Sequence, residues 1–376
     1  MAYRIVSIAV RPLSVPLIDP FTIASGRMVA TRAALVEATV LDERTGARAT
    51  GLGEAAALPP VTHEDQPDLL DAVRAFARYA RGLAFDDAMP HDDIVRLVDH
   101  ADASLAARPV ARSAVETALV DAVARLQGIA LFRLLMAPLA QGVVVDTRMV
   151  SDITIPIHDA AYMGELAAGW SARGFSCFKV KVGLDVERDL AGLAAIHARA
   201  PDATLRIDAN GGYDARAAID FFQRATGAGA RIECFEQPCA RDDLAGMARV
   251  TRELPVPVVA DESLRDLEDL HRLVDARAAT AVNLKLVKLG GPRRALAIGR
   301  AAKALGLDVM VGAMVETRLG ITSAAHVCVA LGGARFVDLD TAWLLAREDF
   351  VGGYRAEGPC YELPDEPGQS LAYAGP

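Results

Sequence analysis

Residues 178–183 read Phe-Lys-Val-Lys-Val-Gly and place two lysines in a short apolar run. Four further apolar runs downstream also end at a charged residue, and the five charges follow one another at intervals of 24 to 28 residues. These charged residues are Lys181, Asp208, Glu236, Asp261 and Lys285. A strand, a helix and two loops need about 30 residues, because eight such units make a barrel of roughly 250 residues. The spacing therefore predicts a (β/α) barrel with one charged group at the end of each of five strands.

The apolar runs before these charges are continuous rather than alternating, which is typical of parallel strands buried on both faces. The carboxyl ends of such strands open onto one face of a barrel, so the five charges are expected to converge on one pocket. Amphipathic segments at 186–198, 215–226 and 292–305 indicate helices between the strands. The eight predicted strands end near Ile157, Lys181, Asp208, Glu236, Asp261, Leu286, Met310 and Asp338.

The part of the chain before the barrel follows a different pattern. Alternating apolar residues broken by Pro and Gly turns predict antiparallel strands, and helical periodicity then predicts helices. The strands are predicted at 3–10, 32–41 and 49–54, and the helices at 66–83, 92–101 and 111–126. Strands followed by helices indicate an α+β domain in front of the barrel. The Gly- and Pro-rich stretch after Asp340 predicts an irregular return to that domain.

The composition excludes several classes of protein. The chain has 376 residues, 52% of them hydrophobic and 24% charged, as expected for a folded globular protein. Its net charge is −9 and it has no basic block, so nucleic acid is not an expected partner. No apolar run approaches the ~20 residues that span a bilayer, and the N-terminus does not resemble an export signal. Five cysteines without a Cys-x-x-Cys pair favour a reduced, cytoplasmic protein with no membrane partner.

The three carboxylates Asp208, Glu236 and Asp261 come at successive strand ends and would repel one another without a cation. Hard divalent metals prefer oxygen ligands, and Mg²⁺ keeps coordination positions for water or a substrate oxygen. These residues are therefore the predicted ligands of one Mg²⁺ ion. The alternative is that each carboxylate caps the helix that follows its strand.

Lys179 and Lys181 lie two positions apart on one predicted strand, so both side chains point to the same face. That face is the barrel interior, because Phe178 and Val180 then point outward to the helices. Two buried ammonium groups side by side are expected to lower the pKa of the pair, since burial and like charge act in the same direction. Lys285 is expected to face Lys181 across the metal. The alternatives are phosphate or sulfate binding, or surface charges at loop ends.

Two opposed lysines around a metal predict a type of reaction. A substrate carboxylate on Mg²⁺ gains negative charge when the α-proton is lost, and the metal stabilises that charge. With one lysine on each face of the α-carbon, either can remove the proton while the other returns one. The pattern therefore predicts 1,1-proton transfer, which is racemisation or epimerisation.

The stretches around these residues resemble the enolase superfamily, in the branch named after muconate-lactonizing enzyme. The matching stretches are 178–183, 207–211, 235–238, 260–263 and 283–286, together with 53–55 and 114–119 near the N-terminus. The resemblance implies an α/β fold, a modified TIM barrel of the (β/α)7β type at 129–342. It also implies an N-terminal α+β capping domain at 1–128 that residues 343–376 complete.

A lysine or histidine base acting with Mg²⁺ is the established chemistry of this superfamily. The resemblance therefore carries over Asp208, Glu236 and Asp261 as metal ligands. It likewise implies that Lys181 and Lys285 form the acid/base pair, acting through an enolate intermediate. Lys179 would tune Lys181.

The segment Asp338-Leu339-Asp340 resembles the Asp-x-Asp with which dipeptide epimerases of the superfamily hold the α-ammonium of a dipeptide. By strand alternation both carboxylates are expected to face the pocket. The alternative is that they pair with neighbouring lysines or cap a helix. Asn210, in the matching stretch 207–211, and Met314, in the region after the seventh strand, are expected as further substrate contacts.

Two loops of the capping domain supply specificity in this superfamily, and here they correspond to residues 19–30 and 51–65. The first offers an apolar surface that includes Phe21 and suits a hydrophobic side chain. Members that act on Ala-Glu carry an arginine in this loop, and Arg27 is the residue of this chain that could fill that role.

The leading hypothesis is a Mg²⁺-dependent dipeptide epimerase that inverts the α-carbon next to the free carboxylate. Its expected partner is a small-molecule dipeptide, and relatives are often homo-oligomers. The alternatives are a lyase resembling muconate cycloisomerase or o-succinylbenzoate synthase, an N-acyl amino acid racemase, or a barrel that binds a ligand without reaction. The dicarboxylic substrates of the lyases would be repelled by Asp338 and Asp340.

Overall fold

The computed structural model describes residues 3–24, 26–86, 90–100, 105–136 and 144–375. Its first part is a four-stranded antiparallel sheet with helices, and its second part is a parallel barrel. The strands of the first part are β1 (Tyr3–Leu13), β2 (Pro16–Ile23), β3 (Gly26–Ala30), β4 (Arg32–Asp42), β5 (Arg48–Ala57) and β6 (Ala84–Phe85). The helices are α1 (Gln66–Ala80), α2 (Pro90–Val98), α3 (Pro109–Gln127) and α4 (Leu131–Met136).

The barrel contains eight parallel strands linked in chain order, preceded by the short strand β7 (Arg148–Val150). The barrel strands are β8 (Ile153–Ile155), β9 (Cys177–Lys181), β10 (Thr204–Asp208), β11 (Ile232–Glu236), β12 (Val258–Ala260), β13 (Ala281–Lys285), β14 (Asp308–Gly312) and β15 (Phe336–Asp338). The helices between them are α5 (Ala160–Ala172), α6 (Val186–Arg199), α7 (Ala215–Gly227), α8 (Leu244–Glu253), α9 (Leu267–Asp275), α10 (Leu286–Leu289), α11 (Pro292–Ala304) and α12 (Arg318–Ala330). The predicted (β/α)7β barrel with a preceding α+β part is therefore confirmed.

The strand register brings the charged strand ends level with one another. Asp208 pairs with Lys181 on one side and with Glu236 on the other. The first and last strands approach through the backbone N–H of Asp152, which donates to the carbonyl of Val337 at 3.2 Å. This register places the ends of all eight strands around one barrel mouth.

Helix α3 lies directly on the antiparallel sheet, and two glycines allow that approach. A Cβ atom at Gly51 would lie 2.1 Å from the carbonyl oxygen of Ala118, and one at Gly53 would lie 2.0 Å from that of Ala114. Real Cβ atoms do not approach a backbone oxygen so closely, so β5 carries glycine where the helix backbone crosses it. The small alanines of α3 complete this contact.

The prediction of a loop at 19–30 is wrong, because most of this segment belongs to an antiparallel hairpin. Strands β2 and β3 pair with Phe21 opposite Met28. The family resemblance implied a loop here, but the segment forms a short pair of strands that carries its buried side chains on one face. The second predicted loop, 51–65, begins as the last part of β5.

Several helix ends also differ slightly from the predicted ones. Helix α1 ends at Ala80 rather than at Leu83, because Arg81 is extended and Gly82 has φ +81°. The predicted helix at 92–101 is observed as α2, and its predicted last residue, Ala101, lies outside the described residues.

The chain after the barrel returns to the first part, as predicted. Its strands are β16 (Phe350–Gly352), β17 (Arg355–Glu357), β18 (Cys360–Glu362) and β19 (Leu371–Tyr373). The backbone N–H of Gln369 donates to Asp121 of α3, and its side-chain amide donates to the carbonyl of Leu52. The division into domains at 1–128 and 129–342 stays a prediction.

Among the described helices, none combines the length and the apolar composition that crossing a bilayer requires. All five cysteines are free, since none forms a disulfide.

The contact between β5 and α3 predicts the effect of replacing Gly53 with alanine. The new methyl group would meet the carbonyl of Ala114, so we expect Gly53→Ala to lower the free energy of unfolding by roughly 1–3 kcal/mol through overpacking. Urea denaturation followed by circular dichroism measures this loss. Gly169→Ala is the matched control, because nothing lies within 4 Å of its added Cβ. Equal midpoints for Gly53→Ala and the wild type would contradict the close contact.

Candidate functional site

A cavity opens at the carboxyl ends of the barrel strands, next to the hairpin of β2 and β3. Barrel strands supply its charged residues, and the first part of the chain supplies an apolar wall. The charged lining residues are Lys181, Asp261, Glu262, Lys285, Asp338 and Asp340. Of the five predicted strand-end charges, Lys181, Asp261 and Lys285 line this cavity, whereas Asp208 and Glu236 are not among its lining residues.

Lys181 lines this cavity and Lys179 lies deeper. The Nζ atom of Lys181 donates to Oδ2 of Asp208 at 2.6 Å. The Nζ atom of Lys179 lies 2.6 Å from Oδ2 of Asp338, 2.7 Å from Oε2 of Glu236 and 3.2 Å from Oδ2 of Asp208. Both lysines thus point into the barrel as predicted, and Lys179 joins three strand ends around one ammonium group.

The carboxylates around Lys179 also show that the predicted lowering of its pKa is wrong. Burial does lower the pKa of Lys179, but the nearby carboxylates of Asp338, Glu236 and Asp208 outweigh it and hold the pKa well above its usual range. The prediction counted the neighbouring lysine and omitted the acids that face both.

Asp261 directly follows β12, and Lys285 ends the neighbouring strand β13. Its Nζ donates to Oδ2 of Asp261 at 2.8 Å. Lys288 of α10 donates to the other carboxylate oxygen of Asp261 at 2.6 Å. Sequence reasoning missed Lys288, and no local pattern marked it. Asp261 is thereby held by two cations.

The predicted metal ligands are buried and each is already in a polar contact. Burial raises the pKa of Asp208, but Lys181, Lys179 and Lys285 together lower it to about 2. Lys285 and Lys288 likewise hold the pKa of Asp261 far below its usual range in spite of burial. For Glu236, burial and the charge of Asp208 raise the pKa.

Glu236 has one carboxylate oxygen that is only partly satisfied. Its Oε1 accepts a hydrogen bond from Nδ2 of Asn283 at 2.8 Å. Its buried Oε2 forms an ion pair with Nζ of Lys179 at 2.7 Å but accepts no hydrogen bond of good geometry from the described residues. A buried carboxylate oxygen of this kind could serve as a ligand for a hard cation.

A second acidic group lies beside the first, and sequence reasoning identified only two of its members. Carboxylate oxygens of Asp152, Asp338 and Asp340 lie within 4.8 Å of one another. Within the described ranges, this is the one acidic group that converges so closely; the oxygens of Asp208, Glu236 and Asp261 do not. Asp152 precedes β8 in sequence, and no pattern there marked it.

The members of this second group are held by neighbours of opposite charge or by backbone. Asp152 accepts a hydrogen bond from Nη1 of Arg206 at 2.9 Å, and Asp340 accepts one from the backbone N–H of Thr154. Oδ1 of Asp152 and Oδ1 of Asp340 are buried without a hydrogen-bond partner among the described residues. Burial and the charge of Asp338 raise the pKa of Asp340 to about 6. The carboxylates of the second acidic group therefore offer more hydrogen-bond acceptors than the described neighbours supply donors.

Most of the predicted substrate contacts are brought together, and one is not. The cavity is lined by the predicted residues Phe21, Asn210, Met314, Asp338 and Asp340. Both aspartates therefore face the pocket, as predicted. Asp338 also pairs with Lys179, which was the alternative to facing the pocket, so that residue does both. The exposed Arg27 instead lines a separate hollow on the outside of the hairpin, with Thr22 and His158.

Glu262 is another lining residue that sequence reasoning did not identify. Its Oε1 accepts from Nδ2 of Asn210 at 3.1 Å, and its Oε2 has no partner. Burial, with the charges of Asp261 and Asp208, raises the pKa of Glu262 to about 7. Its position directly after Asp261 was the available signal.

Comparison with known proteins gives a family match and related enzymes. The family model described as "Enolase C-terminal domain-like" matches residues 162–374. The L-Ala-D/L-amino acid epimerase of Populus trichocarpa is 36% identical over 374 residues, which are 96% of this chain and 82% of that protein. The aromatic dipeptide epimerase of Herpetosiphon aurantiacus is 34% identical over 375 residues, with both chains covered completely.

A solved structure is also similar. The dipeptide epimerase from Enterococcus faecalis V583, complexed with Mg and the dipeptide L-Leu-L-Tyr, superposes with a TM-score of 0.86 and 29% identity. The match covers 98% of this chain and 100% of that one.

Proposed function

Because this chain belongs to the enolase C-terminal domain-like family, we propose that it is a Mg²⁺-dependent dipeptide epimerase. The reaction is a 1,1-proton transfer at the α-carbon of the C-terminal residue. One observation carries the proposal: Lys181 and Lys285, each held by a carboxylate, line the same cavity as the acid pair Asp338 and Asp340. Relatives of full length that are named epimerases support it.

Lys181 and Lys285 are the acid and the base. They end β9 and β13, with β10, β11 and β12 between them around the barrel, so their amines approach a central carbon from opposite directions. Lys181 removes the proton from one epimer and Lys285 returns one on the other face, and the roles reverse for the other epimer. Lys179 keeps the carboxylates around Lys181 in place, because it contacts Asp208 and Glu236 as well as Asp338.

Asp208, Glu236 and Asp261 supply the carboxylate oxygens that a hard cation prefers. Their oxygens do not converge as closely as those of the second acidic group, and Lys181 and Lys285, which hold Asp208 and Asp261, must release them for an ion to bind. When bound there, Mg²⁺ would hold the substrate carboxylate and the negative charge that develops on it as the α-proton leaves. The magnesium in the related Enterococcus structure supports this cofactor.

Asp338 and Asp340 anchor the α-ammonium of the dipeptide. Oδ1 of Asp340 is buried and accepts no hydrogen bond from the residues that the structure describes, and an ammonium group offers three N–H donors. Binding the ammonium there places the C-terminal α-carbon toward the lysines, because one peptide unit separates the two charged ends.

The alternative reactions fit this acid pair poorly. A dicarboxylic lyase substrate would bring a second negative charge toward Asp338 and Asp340. An N-acyl amino acid has no ammonium group, so it would leave the unpartnered oxygen of Asp340 unsatisfied. A binder without chemistry has no need of two lysines on opposite sides of one carbon.

A cytoplasmic location and a homo-oligomeric state complete the proposal, and the five free cysteines are compatible with a reducing compartment.

The first prediction concerns the metal and needs no substrate. We expect Asp261→Asn to weaken Mg²⁺ binding at least ~10-fold, since it removes a charged oxygen ligand. Isothermal titration calorimetry with MgCl₂ measures the affinity. Asp152→Asn is the matched control from the second acidic group and should bind Mg²⁺ as the wild type does. A loss of Mg²⁺ binding in Asp152→Asn alone would contradict the prediction and place the ion in the second acidic group.

The second prediction concerns the lysines. In D₂O with Mg²⁺ and a library of dipeptides, the wild type should incorporate one deuterium at the C-terminal α-carbon, as measured by mass spectrometry. We expect Lys181→Ala and Lys285→Ala each to slow epimerisation by about 10²–10⁴-fold, with each variant keeping deuterium exchange for the opposite epimer. Lys303→Ala, on the exposed side of α11, is the lysine control. No exchange by the wild type with any dipeptide would refute the function.

The third prediction concerns the acid pair. The double variant Asp338→Asn, Asp340→Asn should bind dipeptides at least ~30-fold more weakly, because truncating one side of a buried charge pair costs about 2–5 kcal/mol. The KM of the exchange reaction, together with calorimetric binding in the presence of Mg²⁺, measures the loss. An unchanged affinity would favour a substrate without an ammonium group, as in a lyase.

A further inference from the structure

Part of the cavity wall is apolar. Its residues come from three separate segments, which are β2 of the hairpin, the chain after β5 and the loop after β14. These residues are Phe21, Ile23, Leu58, Val61, Met314 and Val315. Phe21 and Ile23 are only 7% and 6% exposed, although both belong to an outlying hairpin. Their burial indicates that the hairpin packs its apolar face over the barrel mouth.

The cationic side chains of the cavity already donate hydrogen bonds to carboxylates. Among the described lining residues, the cationic ones are Lys181 and Lys285, and each donates to an aspartate. The described arginine of the hairpin, Arg27, lies in the outer hollow instead. A carboxylate on a substrate side chain would therefore meet apolar carbon, the carboxyl of Glu262 or the uncharged polar side chains of Thr154, Asn210 and Thr341, and burying a charge without an opposite charge is costly.

The geometry of the reacting carbon directs its side chain to this wall. When the α-proton has been removed, the α-carbon is planar, and the two lysines approach its two faces. Its remaining substituents lie in that plane: the carboxylate toward the barrel acids, the peptide nitrogen toward Asp340, and the side chain away from both. The apolar wall supplied by the first part of the chain occupies that third direction, with the Phe21 ring centre 6.0 Å from Nζ of Lys181.

We infer that the preferred substrates are dipeptides whose C-terminal side chain is hydrophobic and uncharged. The inference rests on the proposed function and narrows it to one substrate class. It excludes dipeptides ending in glutamate, for which the described lining offers no free cation. It also ranks dipeptides ending in lysine below apolar ones, because their ammonium group would lie against the apolar wall unless it reached Oε2 of Glu262, which accepts no hydrogen bond from the described residues.

The test compares kcat/KM for three dipeptides with the unaltered protein and Mg²⁺: L-Ala-L-Leu, L-Ala-L-Glu and L-Ala-L-Lys. Deuterium incorporation at the C-terminal α-carbon reports the rate. We expect L-Ala-L-Leu to exceed each charged dipeptide at least ~10-fold, the scale by which a hydrophobic pocket discriminates. A preference for the glutamate or the lysine dipeptide overturns the inference but leaves the epimerase intact. No exchange with any of the three or with a wider dipeptide library refutes the proposed function itself.

A pair of variants tests whether the hairpin wall sets the preference. Ile23→Arg places a cation in the wall and should raise kcat/KM for L-Ala-L-Glu relative to L-Ala-L-Leu by at least ~10-fold. Val29→Arg is the matched control on the same hairpin, because Val29 is 65% exposed and does not line the cavity. Circular dichroism checks that both variants are folded. An equal change of preference in both variants, or none in a folded Ile23→Arg, contradicts the role of the wall.

Discussion

The balance of charge inside the barrel mouth is the constraint on which the rest of the site depends. Lys179 is fully buried and lies against the carboxylates of Asp208, Glu236 and Asp338. Removing one member of such a group leaves an uncompensated buried charge, which is strongly destabilising. Because one ammonium group is shared by three strand ends, the strands cannot shift independently. The same network holds Lys181 and Lys285 at separate positions around the cavity.

The first part of the chain matters because it completes a cavity that the barrel leaves open. Glu54 of β5 accepts hydrogen bonds from the backbone N–H groups of Thr317 and Gly320 at the start of α12. On the other side, Arg112 and Glu116 of α3 form a buried ion pair that also contacts the backbone near α11. These links fix the antiparallel sheet relative to the barrel. The apolar hairpin is itself tied to the barrel part, because the backbone N–H of Ile157 donates to the carbonyl of Thr22.

Much of the barrel could be predicted because its signals are local. The apolar runs and the charges that end them recur with the length of one strand–helix unit, and the observed strands end within a few residues of the predicted positions. The hairpin at 16–30 was not predicted, because the loop at 19–30 was assigned from the family resemblance; its two short strands form a separate sheet of their own. The pKa of Lys179 was predicted in the wrong direction, because the prediction included the neighbouring lysine but not the acids that other strands bring to it.

The sequence by itself determined the order of the strands, the charge at each strand end and the alternation that sends Lys179 and Lys181 inward. These features follow from spacing and periodicity within a few tens of residues. Only the tertiary structure decided that Asp152 joins Asp338 and Asp340, that Lys288 shares Asp261, and that Arg27 lies outside the cavity. The physical reason is that such contacts depend on how the barrel closes and how the first part of the chain packs on it, which no local pattern encodes.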